Sequence, residues 1–148
     1  MVFMVNCTEN KYGTLLGGEV VLHSESRAKV VRNMIEADTG ASVTTVSKDI
    51  LHNLGYDVTN GNIEQITTVS GIEYVREIFI DKINFGEFEL KNVLVYAHIF
   101  PEESLTTGVI GLNILSQFDI NMLFSKRKIF LTQISQKQSG LRRIKTKT

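Results

Sequence analysis

Between Gly18 and Leu131 the chain keeps returning to one unit: a short run rich in valine, isoleucine, phenylalanine and tyrosine, closed by glycine, asparagine or serine. Runs of this kind are too short for stable helices and read as strands. GEVVL at residues 18–22 and AKVV at 28–31 form two strands joined through Ser24, Glu25 and Ser26. VREIFIDKI at 75–83 is a strand, Asn84, Phe85, Gly86 and Glu87 are its turn, and LKNVLVY at 90–96 is the return strand. Only two stretches carry helix signals. SKDILHNL at 47–54 has Ser47 as N-cap and Gly55 just past its end, and LNILSQ at 112–117 follows Gly111. The pattern specifies an all-β domain with one or two short helices. One stretch sits awkwardly in it. In IEADTGASVTTV, residues 35–46, the carboxylate of Asp38 interrupts a β segment where Thr39 and Gly40 must turn the chain. A carboxylate is costly to bury unpaired, so its place at the tip of this turn needs a reason.

Bulk properties narrow the possibilities. The chain has 148 residues, 43% of them hydrophobic, enough for one domain with a core. Pro101 is the single proline, and no low-complexity linker or internal repeat is present. Residues 1–134 therefore read as one domain and 135–148 as a polar, basic, disordered tail. Lys+Arg and Asp+Glu both number 16, so zero net charge gives no general attraction to nucleic acid or to acidic membranes. Cys7 is the only cysteine, which excludes an intrachain disulfide and fits a reducing compartment. No apolar run reaches the length of a membrane-spanning helix, and MVFMVNCTENKYG lacks the basic head and apolar stretch of a signal peptide. The expectation is a soluble, cytoplasmic protein, with an anchor on a larger parent chain left open.

Several chemistries find no support. His23, His52 and His98 stand far apart in no metal-ligand spacing, so neither a metal nor another cofactor is expected. No Lys-Ser/Thr pair or opening helix follows Gly13, Gly17 and Gly18, so they make no phosphate loop. A cysteine nucleophile rests on nothing beyond the existence of Cys7.

Asp38-Thr39-Gly40 alone is a weak signal, because an Asp-Gly type turn explains it equally well. Its context is stronger. Small residues, Ala41 and Ser42, follow it, and far downstream Val109-Ile110-Gly111 leads into a short helix. This pairing resembles the retropepsin family, the retroviral-type aspartic proteases. The stretch VIGLNILSQFDINMLF at 109–124 is similar to that family's C-terminal signature, in which apolar-apolar-Gly precedes a polar residue, here Asn113, then a helix and a strand. The resemblance runs from about Val20 to Leu131. It implies a small closed β-barrel of the acid protease type, with one flap hairpin and an active site shared by a homodimer.

The implied chemistry accounts for the position of Asp38. Aspartic-protease hydrolysis needs two carboxylates sharing one proton. The chain has one Asp-Thr-Gly, and Asp49, Asp57, Asp81 and Asp119 are not followed by Thr/Ser-Gly. The second carboxylate must then come from a second copy across a two-fold axis. By the same resemblance, Thr39 bonds across the axis, Gly40 permits a tight backbone, Ala41 gives close approach, and Ser42 bonds an outer carboxylate oxygen. Gly111 and Asn113 pack beneath the catalytic loop. The flap falls at residues 66–75, ITTVSGIEYV, with Gly71 at a mobile tip and Val69 and Ser70 facing an extended polypeptide substrate.

The sequence also departs from the viral pattern. Ser42 and Val43 replace acidic residues that often follow Asp-Thr-Gly-Ala, and Leu112 stands where arginine often follows the signature glycine. Both ends of an intersubunit ion pair are missing together. SKRKIFL at 125–131 adds a turn and strand beyond the usual terminus. Glu36 occupies a position usually apolar; strand alternation puts it on the side of Asp38, where it favours a basic substrate residue, unless local twist turns it to solvent. Two other readings stay open: a catalytically silent retropepsin-like module that binds peptides or dimerises, and an unrelated small barrel in which Asp38 is a turn residue.

Overall fold

A computed structural model describes residues 2–6, 8–10, 13–15, 17–102 and 106–134. The chain runs β1 (Val2–Asn6), β2 (Thr8–Asn10), β3 (Gly13–Leu15), β4 (Gly17–Ser24), β5 (Lys29–Ala37), β6 (Thr45–Ser47) and α1 (Lys48–Asn53). It continues through β7 (Ile63–Thr68), β8 (Gly71–Phe85), β9 (Phe88–His98), β10 (Gly108–Ile110), α2 (Leu112–Leu115), β11 (Phe118–Leu123), a 3-10 turn (Phe124–Lys126) and β12 (Lys128–Gln133). The basic tail at 135–148 and Cys7 lie outside the described residues.

The main sheet has the order β4-β5-β10-β6-β9-β8-β7. A further pairing of β4 with β8 joins its two sides, so six strands close into a small barrel and β7 extends from it. Closure removes the exposed edges that an open sheet would leave. Two joins are parallel, β5 with β10 and β6 with β9. They come from distant parts of the chain, so they bring the Asp38 region beside the Val109-Ile110-Gly111 segment.

The alternation read from the sequence decides what fills the barrel. Val20, Leu22, Ile35, Val46, Ile80, Ile83, Val95 and Ile110 are wholly or almost wholly buried, and Leu51 and Leu54 of the α1 region join them. The β8–β9 hairpin is tighter than expected. Asn84 and Phe85 remain in the strand, Phe85 pairs with Phe88, and only Gly86 and Glu87 turn. Burial of Phe85, at 1% exposure, explains the extension: the ladder continues until this ring is inside. Ser47 occupies the N-cap position of α1, yet its side chain makes no capping bond, and its backbone N–H donates to Thr107 O at 2.8 Å. Gly55 follows the helix with φ +97°, the left-handed conformation a C-terminal glycine supplies at least cost. The second helix is shorter than the expected 112–117, because Ser116 already caps it.

A second sheet, β1-β12-β11, joins the first strand of the chain to the last two. The turn and strand foreseen at 125–131 are the 3-10 turn and β12, which folds back on β11 and also pairs with β1.

Tyr56 ties the segment after α1 to the barrel. Its hydroxyl donates to His23 O at 2.8 Å and accepts from the Asp81 N–H at 2.9 Å. Tyr56→Phe removes both bonds while keeping the ring. The expected loss is about 1–3 kcal/mol, read as a lower denaturant midpoint with an unchanged slope.

Candidate active site

β5 ends at Ala37, and the next residues fold into a compact turn. The Asp38 N–H donates to Ile110 O at 2.9 Å, its Oδ1 accepts the Gly40 N–H at 2.8 Å, and its carbonyl accepts the Ala41 N–H at 3.2 Å. Asp38, Thr39 and Gly40 are all exposed, so the carboxylate stands at the surface of the single chain.

Beneath the turn lies a hydrogen-bond cage centred on Thr44, which is fully buried. Its N–H and its hydroxyl both donate to Asn113 Oδ1 at 2.8 Å. Its Oγ1 accepts the Gly111 N–H at 3.0 Å, and its carbonyl accepts the Tyr96 N–H at 2.8 Å. Asn113 Nδ2 donates to Leu94 O at 2.8 Å, while Leu112 N–H donates to Ala41 O at 2.8 Å and Asn113 N–H to Ser42 O at 3.1 Å. One side chain from α2 thus satisfies groups on the Asp38 loop and on β9. Gly111 is required by space, since a Cβ there would sit 2.6 Å from the Val43 carbonyl carbon. The sequence reading assigned Asn113 and Gly111 to support and overlooked Thr44. Its flanking residues, Val43 and Thr45, give it no distinguishing local pattern.

Thr39 and Ser42 make no side-chain hydrogen bond among the described residues. In particular, Ser42 is exposed and does not bond the Asp38 carboxylate within one chain. The hairpin of β7 and β8 turns through Val69 and Ser70, with Thr68 paired to Gly71. Gly71 is therefore the first residue of the return strand and not the apex; its φ of +125° and the open space around it suit a chain reversal. Val69 is fully exposed at the tip. Between this hairpin and the Asp38 loop lies a cleft of about 610 Å³, walled by Asp38, Gly40 to Val43, Thr45 and Tyr96 on one side and by 65–69 on the other. Of the expected site residues, Asp38, Gly40, Ala41, Ser42 and Val69 line it directly.

Glu36 is half-buried. Register shows where it points. Glu36 pairs with Val109, Val109 with Thr45, Thr45 with Tyr96, and Tyr96 with Glu77. Side chains paired across adjacent strands share a face. Thr45 and Tyr96 line the cleft, whereas the intervening residues Ile35, Val46 and Ala97 are buried on the core side. Glu36 therefore shares the sheet face of Thr45 and Tyr96, although it does not itself wall the cleft. Burial, and then the charge of Asp38, push its carboxyl above the ordinary value of 4.5. Burial also raises the Tyr96 phenol, followed by the charges of Glu64 and Glu77. Among the described residues, no cluster of His, Cys, Asp and Glu has the arrangement of a metal site.

Two outcomes follow from this geometry. Asn113→Leu leaves the buried Thr44 N–H and the Leu94 carbonyl without a partner, and it should cost about 2–4 kcal/mol in denaturant unfolding. For Glu36, the raised folded value means that ionisation costs stability as pH rises from the unfolded value through the folded one. Glu36→Gln should therefore melt above the wild type at pH 7.5, with the difference closing as pH falls below about 4, as read by thermal melts across pH.

Comparison with known proteins places this arrangement. A family model described as "gag-polyprotein putative aspartyl protease" matches residues 29–117, which hold both the Asp38 turn and the Gly111 segment. Among matching solved structures is a retropepsin-like aspartic protease from Rickettsia conorii, with 19% identity, 88% of this chain and 91% of that chain covered, and a TM-score of 0.65. No curated protein sequence matches the chain. No helix among the described residues is long and apolar enough to cross a membrane. The match over most of the barrel, from β5 to α2, shows that the chain belongs to the gag-polyprotein aspartyl protease family and has its retropepsin-like fold.

Proposed function

We propose that the protein is an aspartic endopeptidase whose two catalytic carboxylates are Asp38 and its mate in a second copy of the chain. The observation that carries this reading is an exposed carboxylate at the mouth of a cleft, on a turn braced from beneath by Thr44 and Asn113. One carboxylate cannot serve as both base and acid. Two in hydrogen-bond reach share a proton, because like charges at that distance resist ionising together. The ionised member takes a proton from a bound water, which attacks the scissile carbonyl; the protonated member polarises that carbonyl and the leaving amine receives a proton as the bond breaks. The pair titrates as a unit. An extended peptide lies between the turn and the hairpin, whose closure excludes bulk water.

The second sheet supports the dimer. Ile134 N–H donates to Gln117 O at 3.0 Å, which makes that opposed pair a hydrogen-bonded one. Hydrogen-bonded pairs alternate with non-bonded pairs in an antiparallel ladder. Phe118, Ile120 and Met122 therefore aim their backbone polar groups away from β12, and β11 is an edge of its sheet. An unpaired edge is a ready site for another strand. A second β11, antiparallel about a two-fold axis, extends the three strands to six and leaves β12 and β1 within their own chain.

Asp38→Asn should lower cleavage of a peptide library by roughly 10³-fold or more while leaving the melting curve in place. Met122→Pro, which removes an outward N–H that an edge strand can spare, should yield a folded monomer in sedimentation and lose cleavage in parallel. A folded wild-type dimer that cleaves nothing from acid to neutral pH would instead favour a peptide-binding module.

A further inference from the structure

The cleft face carries a charge pattern that a general peptide-binding floor does not need. The row Glu36, Val109, Thr45, Tyr96, Glu77 crosses five strands. Along the sheet, Tyr96 lies three strands from Glu36 and Glu77 four. Two carboxylates thus stand on this row, with an apolar and hydroxyl-bearing stretch between them. Glu36 lies two residues before Asp38 on the same face, so it is the end nearest the reacting groups. Neither Glu36 nor Glu77 has an ion-pair partner among the described residues, although the other ion pairs engage Glu19, Glu25, Glu73 and Glu89.

Resting on the endopeptidase reading, we propose that this site selects cationic peptides: Glu36 receives a lysine or arginine side chain next to the scissile bond, and Glu77 favours a second basic residue farther along the peptide. A carboxylate that is partly desolvated and set beside another carboxylate gains most from a cation that arrives with the ligand. Val109, beside Glu36 in the row, suits the aliphatic stem that carries such a charge. An acidic side chain at the same place would meet Glu36 and Asp38 together and be rejected.

The test uses the full-length protein at pH 7, wild type, Glu36→Gln and Glu77→Gln. A proteome-derived peptide library is digested and the cleaved bonds are read by mass spectrometry. In parallel, two reduced-amide peptides, identical except for lysine or norleucine beside the uncleavable bond, are titrated against each protein. We expect lysine and arginine to be enriched at one fixed position next to the cleaved bond in the wild type, and that enrichment to vanish in Glu36→Gln. The lysine ligand should bind about 10-fold more tightly than the norleucine ligand, and Glu36→Gln should bring the two within a factor of about 2. Glu77→Gln should relax a basic preference only at the more distant position. Cleavage without basic enrichment, or enrichment that survives Glu36→Gln, overturns the inference and leaves the endopeptidase reading standing. Selective binding of the lysine ligand without any cleavage overturns the endopeptidase reading and retains the charge selectivity. Neither cleavage nor selective binding overturns both.

Discussion

The Thr44–Asn113 contact holds together everything that matters at this site. A single amide oxygen accepts from the backbone and the hydroxyl of one buried threonine, and the same side chain's nitrogen reaches β9. The threonine hydroxyl in turn holds the Gly111 N–H. These bonds lie out of water, where a satisfied network is stiff and a broken one is expensive. The Asp38 turn therefore rests on a floor that does not need the carboxylate's own contacts to keep it in place. That leaves the carboxylate at the surface, with its Oδ1 occupied by only the Gly40 N–H among the described residues.

Barrel closure supplies the rest of the geometry. Because β4 pairs with both β5 and β8, the two ends of the main sheet meet, and the long β8 strand serves two ends of the molecule. Its first part pairs with β7 and projects the hairpin over the cleft; its later part is locked into the barrel through Ile80, Ile83 and Phe85. The hairpin tip has little beneath it, as the full exposure of Val69 shows. The lightly held hairpin is thus anchored by the packed later part of the same strand, while the floor across the cleft is held separately by Thr44 and Asn113.

An exposed catalytic-type carboxylate and an open strand edge are the two features that a single chain leaves unsatisfied. The proposed second copy would answer both, since antiparallel pairing through β11 is a two-fold arrangement and a two-fold axis brings like residues together. In this chain β12 and β1 complete the sheet from within. Among the described residues, β11 is the edge of this sheet nearest α2 in the chain.

The strands around Val20, Ile78 and Val93 were legible because alternation of apolar and polar residues is a local property with a period of two. So were the α1 segment with Gly55 and the pairing of Asp38-Thr39-Gly40 with Gly111 and Asn113, since glycine and turn chemistry leave marks in a few adjacent residues. The turn after β8 was misjudged by two residues, because burial of Phe85 prolonged the ladder past an asparagine that locally signals a turn. Thr44 and Tyr96 gave no comparable mark. Their importance arises from parallel joins between segments far apart in the chain, which no local pattern encodes. Alternation along the sequence put Glu36 on the side of Asp38; only the lateral register Glu36–Val109–Thr45–Tyr96 shows that it shares a sheet face with the cleft-lining Thr45 and Tyr96. The sequence by itself determined the strand periodicity and the carboxylate-bearing turn, because both are set by neighbours in the chain. The tertiary structure decided which face became the floor of the site and which edge stayed open, because those depend on how distant strands align.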